Sequence, residues 1–367
     1  MSPQTAIAPD LRFSSFEQEW ETKRLGDLCS TFKSGSGITS SKITDEGVFP
    51  VYGGNGLRGY TDSYTHEGFY FLIGRQGALC GNINHVRNKS FISEHAIAVQ
   101  GNEEADTEWL AQRLDYFNLN RLSESSAQPG LSVGKLARLK ITLPTLPEQR
   151  KIADFLTAVD GRIGQLIKKK ALLEDYKKGV MQQLFTQAIR FKDDHGKDFP
   201  DWEEKKLGEV ANLYQPKTIS QTDLTPKGYT VYGANGIIGK YHSFNHEKPQ
   251  VTVTCRGSTC GVIGYTEPHS WITGNAMVIN LDECPDSTKT FVYHALCATD
   301  LRYLITGSGQ PQITGNLKGH KIGYPSPDEQ TKIANFLSAL DRKIESVATQ
   351  ITETQTFKKG LLQQMFV

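Results

Sequence analysis

Two stretches of the chain carry apolar residues at helical spacing for about ten turns each. In the first, Ile152, Leu156, Val159, Ile163, Leu166, Leu173, Val180 and Leu184 fall on one stripe among polar residues. In the second, the stripe runs Ile333, Leu337, Leu340, Ile344, Val347, Ile351, Leu361 and Met365. Positions 152, 159, 166, 173 and 180 are seven apart and all apolar, the coiled-coil period. Pro147 and Pro327 suit a helix start, where no proline N–H is needed. Helices of about 40 residues would be roughly 60 Å long. Few small domains bury a stripe of that length, so each stripe is expected to partner the other. The alternative is a core helix of a globular domain, which the length and the sustained heptads oppose.

The two stretches also repeat each other. Lys151-Ile152-Ala153 answers Lys332-Ile333-Ala334, Asp160 answers Asp341, and Lys177-Lys178-Gly179 answers Lys358-Lys359-Gly360, all 181 residues on. The repeat continues outside the helices. Trp20 to Leu28 is echoed by Trp202 to Val210, Val51 to Leu57 by Val231 to Ile237, and Gly77 to Ile83 by Gly257 to Ile263. The order is therefore globular unit, long helix, globular unit, long helix. Within the units, Phe69–Ile73, Gln250–Thr254, Leu139–Leu143 and His320–Tyr324 read as strands. Thr107–Leu122 and Thr288–Ile305 read as helices, with Thr107 and Ser287 or Thr288 as N-caps. Each unit is predicted to be α+β. The loops diverge more than the skeleton: Lys33–Glu46 has no close counterpart in Lys217–Gly228. Two copies of one scaffold that read two different things would look like this.

The expected boundaries are a flexible lead at 1–19, a first unit at 20–146 and a helix at 147–189. A polar linker follows at 190–201, then a second unit at 202–326 and a helix at 327–367. The 367 residues suit two or more domains, and 38% hydrophobic with 22% charged is ordinary for a soluble protein. The stretch ahead of Trp20 lacks a basic-then-apolar signal, and no apolar run spans a membrane. The six scattered cysteines read as reduced thiols of a cytoplasmic protein. A net charge of +1 requires any phosphate-binding surface to be local or shared with a basic partner.

Candidate chemistry is sparse. Gly54-x-Gly56-x-x-Gly59 matches a dinucleotide fingerprint formally, but no helix follows and Ala234 replaces the first glycine in the second copy. What the copies share is Tyr-Gly-x-Asn-Gly, at Tyr52 to Gly56 and Tyr232 to Gly236. It is either a plain hairpin turn or a turn touching nucleic acid through Tyr52, Asn55, Tyr232 and Asn235. Arg75, Gln76 and Arg256 end strand runs and are the best base-reading candidates, since arginine pairs with guanine and glutamine with adenine. Arg58, Gln128, Lys240, Ser258 and Gln310 complete the candidate DNA-binding set. An arginine bridged to a surface carboxylate is the competing account. His242 and His246, four apart, have no counterpart pair in the first unit and make a weak metal site. Lys168-Lys169-Lys170 reads as a solvated helix face or a phosphate contact. No P-loop, nucleophile–base pair or Asn-Pro-Pro-Tyr motif is present, so no catalysis by this chain alone is expected.

The helix starts PEQRKIADFL at 147–156 and PDEQTKIANFL at 327–337, with KKGVMQQLF at 177–185 and KKGLLQQMF at 358–366, resemble the specificity subunit of type I restriction–modification systems. The resemblance runs from about Trp20 to Phe366. It departs at Arg75-Gln76-Gly77, where such domains show Arg-Gly as at Arg256-Gly257, leaving Arg75 and Gln76 as rival readers. The resemblance implies two target-recognition domains, each reading half of a split DNA site in the major groove. The two helices would form an antiparallel coiled coil with pseudo-twofold symmetry, a ruler matching half-sites about one DNA turn apart. It also implies that the chain binds no cofactor itself. Two modification subunits would bring S-adenosylmethionine and flip an adenine for methylation. Restriction subunits would bring ATP, Mg2+ and translocation. Two other readings stay open: the same module with a fused nuclease–methylase partner, and a coiled-coil protein-binding scaffold.

Overall fold

The apolar stripes become two continuous helices, Leu146–Phe185 of 40 residues and Pro327–Met365 of 39. In the computed structural model, residues 8–77, 79–123, 129–234, 236–307 and 311–366 are described. The chain divides into two units. Unit 1 is Met1–Leu166 with Gln350–Val367, and unit 2 is Ile167–Thr349. Each long helix therefore begins in one unit and ends in the other.

Unit 1 is built on strands β1 (Glu21–Arg24), β2 (Cys29–Ser34), β3 (Phe49–Gly53), β4 (Gly56–Thr61), β5 (Tyr70–Gly74), β6 (Ile83–Val86), β7 (Phe91–Ile92), β8 (Ala96–Gly101) and β9 (Lys140–Leu143). They form a four-stranded sheet in the order β2-β8-β5-β6, a three-stranded sheet β4-β3-β7, and the pair β1-β9. Short helices Thr107–Phe117 and Val133–Ala137 complete the unit. Asp106, not Thr107, caps the former: its carboxylate accepts from the Trp109 N–H at 2.9 Å. The expected helix to Leu122 breaks at Asn118, which is left-handed at φ 57° and turns the chain into a 3-10 segment, Leu119–Leu122.

Unit 2 repeats this plan with β10 (Glu203–Lys206), β11 (Asn212–Tyr214), β12 (Tyr229–Gly233), β13 (Gly236–Tyr241), β14 (Val251–Thr254), β15 (Ile263–Tyr265), β16 (Trp271–Ile272), β17 (Ala276–Asn280) and β18 (Lys321–Tyr324). Its sheets are β11-β17-β14-β15, β13-β12-β16 and β10-β18, strand for strand the order of unit 1. The helix Lys289–Cys297 takes the place of Thr107–Phe117, with Thr288 at its N-cap position. The fold class is α+β, as the patterning predicts.

The stripes meet both expected fates. In unit 1, Ile152 and Leu156 share one buried cluster with Leu361 and Met365 of the other long helix. The same cluster holds Trp109, Leu110 and Leu114 of the short helix, so the helix pair and the globular core are one core. In unit 2, Met181 and Leu184 share a cluster with Ile333 and Leu337, and with Phe291 and Leu296. Within each unit the long helices run antiparallel. Asp160 pairs with Lys358 at 2.7 Å in unit 1, and Lys177 pairs with Asp341 in unit 2. Residues that answer each other in the repeat thus serve as the two ends of equivalent ion pairs.

The Glu-Gln pairs in the first turns of the helices, Glu148-Gln149 and Glu329-Gln330, have a buried structural role. Gln149, fully buried, donates to the carbonyls of Pro144 at 2.8 Å and Glu104 at 3.0 Å, and accepts from the Asp106 N–H at 2.9 Å. Gln330 does the same with Pro325, Asp286 and Thr288 at 2.9, 3.1 and 2.9 Å. Each glutamine ties a long helix to the start of a short one. The part of the expected flexible lead around Arg12 is packed instead. Arg12 pairs with buried Glu148, Phe13 meets Phe155 edge-on at 5.9 Å, and the Leu11 N–H donates to the Gln364 carbonyl at 2.9 Å.

All six cysteines are free. No helix among the described residues is long and apolar enough to cross a membrane.

Candidate nucleic-acid interface

Three loop segments converge at one end of the four-stranded sheet in each unit. The first is the hairpin carrying Tyr-Gly-x-Asn-Gly. In unit 1, Gly53 pairs with Gly56 across Gly54-Asn55. The left-handed φ, +97°, falls on Gly56 rather than on Asn55. In unit 2, Gly233 pairs with Gly236, whose φ is +80°. The hairpin is pinned to the sheet. Asn84 donates to the Gly54 carbonyl at 3.3 Å, and Thr254 donates to the Ala234 carbonyl at 2.6 Å. A Cβ on Gly54 would stand 2.8 Å from the His95 carbonyl oxygen and 3.1 Å from the Gly74 Cα, so the close approach in unit 1 needs a glycine, while Ala234 and Thr254 take the two places in unit 2.

The second segment leaves the central strands β5 and β14. The Arg75 N–H donates to the His95 carbonyl at 3.0 Å, and the Cys255 N–H donates to the Asn275 carbonyl at 2.9 Å. Gly77 and Gly257 follow at φ +86° and +85°, and Gly81 and Gly261 at +91° and +90°. The third segment closes against the second. Gln76 bridges Gly130 and Arg256 bridges Gln312. The Gly77 N–H donates to the Pro129 carbonyl at 3.0 Å, and the Gly257 N–H to the Pro311 carbonyl at 3.1 Å.

This register settles an equivalence. Gln76, not Arg75, occupies the place of Arg256, and Arg75 occupies the place of fully buried Cys255. Arg75 is half-buried and donates to the Ser34 hydroxyl at 3.2 Å. Gln76 and Arg256 are exposed, and neither side chain has a hydrogen bond or ion pair among the described residues. No carboxylate among the described residues holds Arg256.

The other candidates divide. Asn55, Arg58 and Ser258 are exposed. The Arg58 stem lies against Gly53, where Ile238 lies against Gly233 in unit 2. Tyr52 and Tyr232 are half-buried and pack on small clusters formed by Leu72 and Ile92, and by Ile272 and Val278. The Tyr232 hydroxyl accepts from the Glu267 N–H at 3.1 Å, and burial pushes its pKa up. Lys240 is exposed and donates to the Thr230 hydroxyl at 2.9 Å. Gln128, Asn235 and Gln310 lie outside the described residues. Exposed apolar side chains also flank the loops: Leu57 and Leu79 in unit 1, Ile237 and Val262 in unit 2. Sequence reading missed these, because a lone exposed apolar residue carries no periodic signal.

His242 and His246 stand on a loop between β13 and β14, not on a helix. His246 is buried between the Tyr214 hydroxyl at 2.8 Å and Asn245 Oδ1 at 2.6 Å, and burial lowers its pKa. No cluster of three potential metal ligands occurs among the described residues. Of the lysine run, Lys170 pairs with Glu174 one turn on, at 2.7 Å, and Lys168 and Lys169 are exposed.

A model of the type I restriction modification DNA specificity domain matches the chain twice, over residues 17–174 and 200–355. The chain belongs to this family. As a family member it is a non-catalytic DNA-specificity protein with two specificity domains in tandem. Among its relatives, the type I restriction enzyme EcoprrI specificity subunit of Escherichia coli is 38% identical over 154 residues, which span 41% of this chain and 38% of that protein. A putative type I specificity subunit of Haemophilus influenzae is 25% identical over 92% of this chain and 90% of its own length. Among solved structures, the type I system S subunit from M. genitalium superimposes with a TM-score of 0.75, at 19% identity, over 98% of this chain and 99% of that one. That likeness shows the shared fold.

Proposed function

We infer that this specificity protein recognises a split DNA target, with one unit reading each half-site. It directs adenine methylation by modification subunits, and cleavage by restriction subunits, within a type I complex. One observation carries the reading. The framework residues recur in both units, including Glu148 and Glu329, Gln149 and Gln330, and both helix ion pairs. The Asn-Gly of the hairpin is shared, but exposed residues beside it at equivalent places differ: Gln76 against Arg256, and Leu57-Arg58 against Ile237-Ile238. A scaffold held constant under changed exposed loops is the arrangement of two readers with two targets.

Base contacts would come from Asn55, Arg58, Gln76, Arg256 and Ser258 in this reading. Tyr52 and Tyr232 support the hairpin from beneath. Phosphate contact supplied largely by partner subunits would be consistent with the near-neutral charge. Two modification subunits supply S-adenosylmethionine, restriction subunits supply ATP and Mg2+, and the complex works in the cytoplasm.

The test is exchange of residues 202–326 for the second recognition unit of a relative, followed by modified-base sequencing of DNA from cells also carrying the modification subunit. One half of the methylated motif changes and the other half stays. A change in both halves, or in neither, overturns the one-unit, one-half-site reading.

A further inference from the structure

Position 76 and position 256 are one place in the scaffold, occupied by two different side chains. Each is the second residue after a central strand: β5 ends at Gly74 and β14 at Thr254. Both are bridged to the third loop segment, and both precede a glycine at φ near +85°. The backbone on either side is fixed by matching bonds. The Leu131 N–H donates to the Arg75 carbonyl at 2.9 Å, and the Ile313 N–H to the Cys255 carbonyl at 2.9 Å. The side chain at this place is exposed in each unit, without an internal partner among the described residues. A polar side chain with several donors, standing free on a doubly bridged backbone, has little backbone entropy to lose on binding.

Arg75 does not compete for this role. Its guanidinium is half-buried beside Ser34, and its counterpart is an apolar, fully buried cysteine. The chemistry of the two remaining side chains differs in a defined way. A glutamine amide donates one hydrogen bond and accepts one, which matches N7 and N6 of adenine. An arginine guanidinium donates two, which matches N7 and O6 of guanine.

We propose that Gln76 and Arg256 are the same base-reading position used twice, Gln76 selecting an A·T pair in one half-site and Arg256 a G·C pair at the corresponding place of the other. The proposal rests on the half-site reading above and names the base class within it. It makes the two halves of the target differ in base pair at this place, whatever the remaining loops read.

The experiment uses the full chain assembled with its modification subunit. The wild type, Gln76→Arg, Arg256→Gln and Arg75→Ala are each mapped by base-resolution methylation of a DNA library holding every base at every position. The wild type yields a split motif. Gln76→Arg moves one position of one half-site from A·T to G·C, with preference altered roughly tenfold or more. Arg256→Gln moves one position of the other half-site from G·C to A·T. Arg75→Ala keeps the wild-type motif. An unchanged motif in both exchange variants overturns the proposal, as does a shift caused by Arg75→Ala alone. Loss of all methylation by an assembled exchange variant that melts like the wild type also overturns it, because a re-specified reader keeps a target. A wild-type complex that methylates without any split motif sinks the half-site reading itself, which separates the two failures.

Discussion

Arg12 grips Glu148 with two charge-assisted hydrogen bonds, Nε to Oε1 at 2.7 Å and Nη2 to Oε2 at 2.8 Å. The glutamate side chain is 1% exposed. Arg190 grips Glu329 in the same fork, at 3.2 and 2.8 Å, and there the Trp202 indole N–H adds a third bond at 3.0 Å. Removing one partner of such a pair leaves a buried charge alone. Arg12→Ala is expected to cost about 3–5 kcal/mol. Thermal unfolding of the full chain measures it. Replacing both partners, as in Arg12→Met with Glu148→Leu, should recover most of the loss, since the desolvation of two ions disappears together. A double variant no better than Arg12→Ala would show that the cost lies in packing rather than charge.

The helix ion pairs predict a smaller effect. The Asp160 side chain is 45% exposed and that of Asp341 is 41%. Pairs in such surroundings contribute about 1 kcal/mol or less, and salt screens them. Lys177→Glu alone should lower stability by that amount, and Lys177→Glu with Asp341→Lys should restore it. Denaturant midpoints at low and high salt check both, and a large effect that persists at high salt contradicts the surface-pair account.

Unit 2 should be acid-sensitive through His294. This ring is 1% exposed, and neither nitrogen has a hydrogen-bond partner among the described residues. Burial, reinforced by Lys177 and opposed by Asp341, lowers its pKa from 6.5 to about 4. Asp341 Oδ2 lies 3.9 Å from Nε2. The folded form therefore resists a proton that the unfolded chain accepts. Stability is full above about pH 6.5 and falls as pH drops toward about 4, by about 3 kcal/mol at most. Burial lowers His246 and His320 as well, adding slopes of the same sign. In unit 1 the matching residue is Gln112, which does not titrate and donates to the Ala153 carbonyl at 3.3 Å. His294→Gln should flatten the decline measured by urea unfolding between pH 7 and pH 4.5, and an unaltered slope would remove His294 as its source.

Gly77 tests the turn beside Gln76. Its φ is +86° and a Cβ there would meet no atom of the described residues within 4 Å, so the penalty expected for alanine is conformational. Gly77→Ala is expected to cost about 1–2 kcal/mol. Asparagine, which tolerates the left-handed region better, should cost less. Melting temperatures of the two variants give the order, and equal losses would point to a steric cause instead.

The long helices were legible because their signal is local and repeated: apolar residues every three or four positions, over many turns, need no knowledge of the fold. The internal repeat, the α+β character and four strand cores were legible for the same reason. The DNA-reading family was legible in two pairs of motifs. Pro-Glu-Gln showed itself as a signature but not as a device. That Glu148 waits for Arg12, and Gln149 for the start of a short helix, depends on chain segments brought together only by folding.

The choice between Arg75 and Gln76 was likewise closed to sequence reading. Aligned by Arg-Gly, Arg75 looks like the counterpart of Arg256, and one inserted residue cannot be assigned to either side of it. The backbone bridges of Gln76 to Gly130 and Arg256 to Gln312 decide the matter. The sequence by itself determined which residues are periodic, paired in the repeat and chemically able to read bases. Only the tertiary structure decided which of them are spent on the scaffold and which stand free. Burial and hydrogen-bond partnership are properties of neighbours in space, and the neighbours of Gln76 lie more than fifty residues along the chain from it.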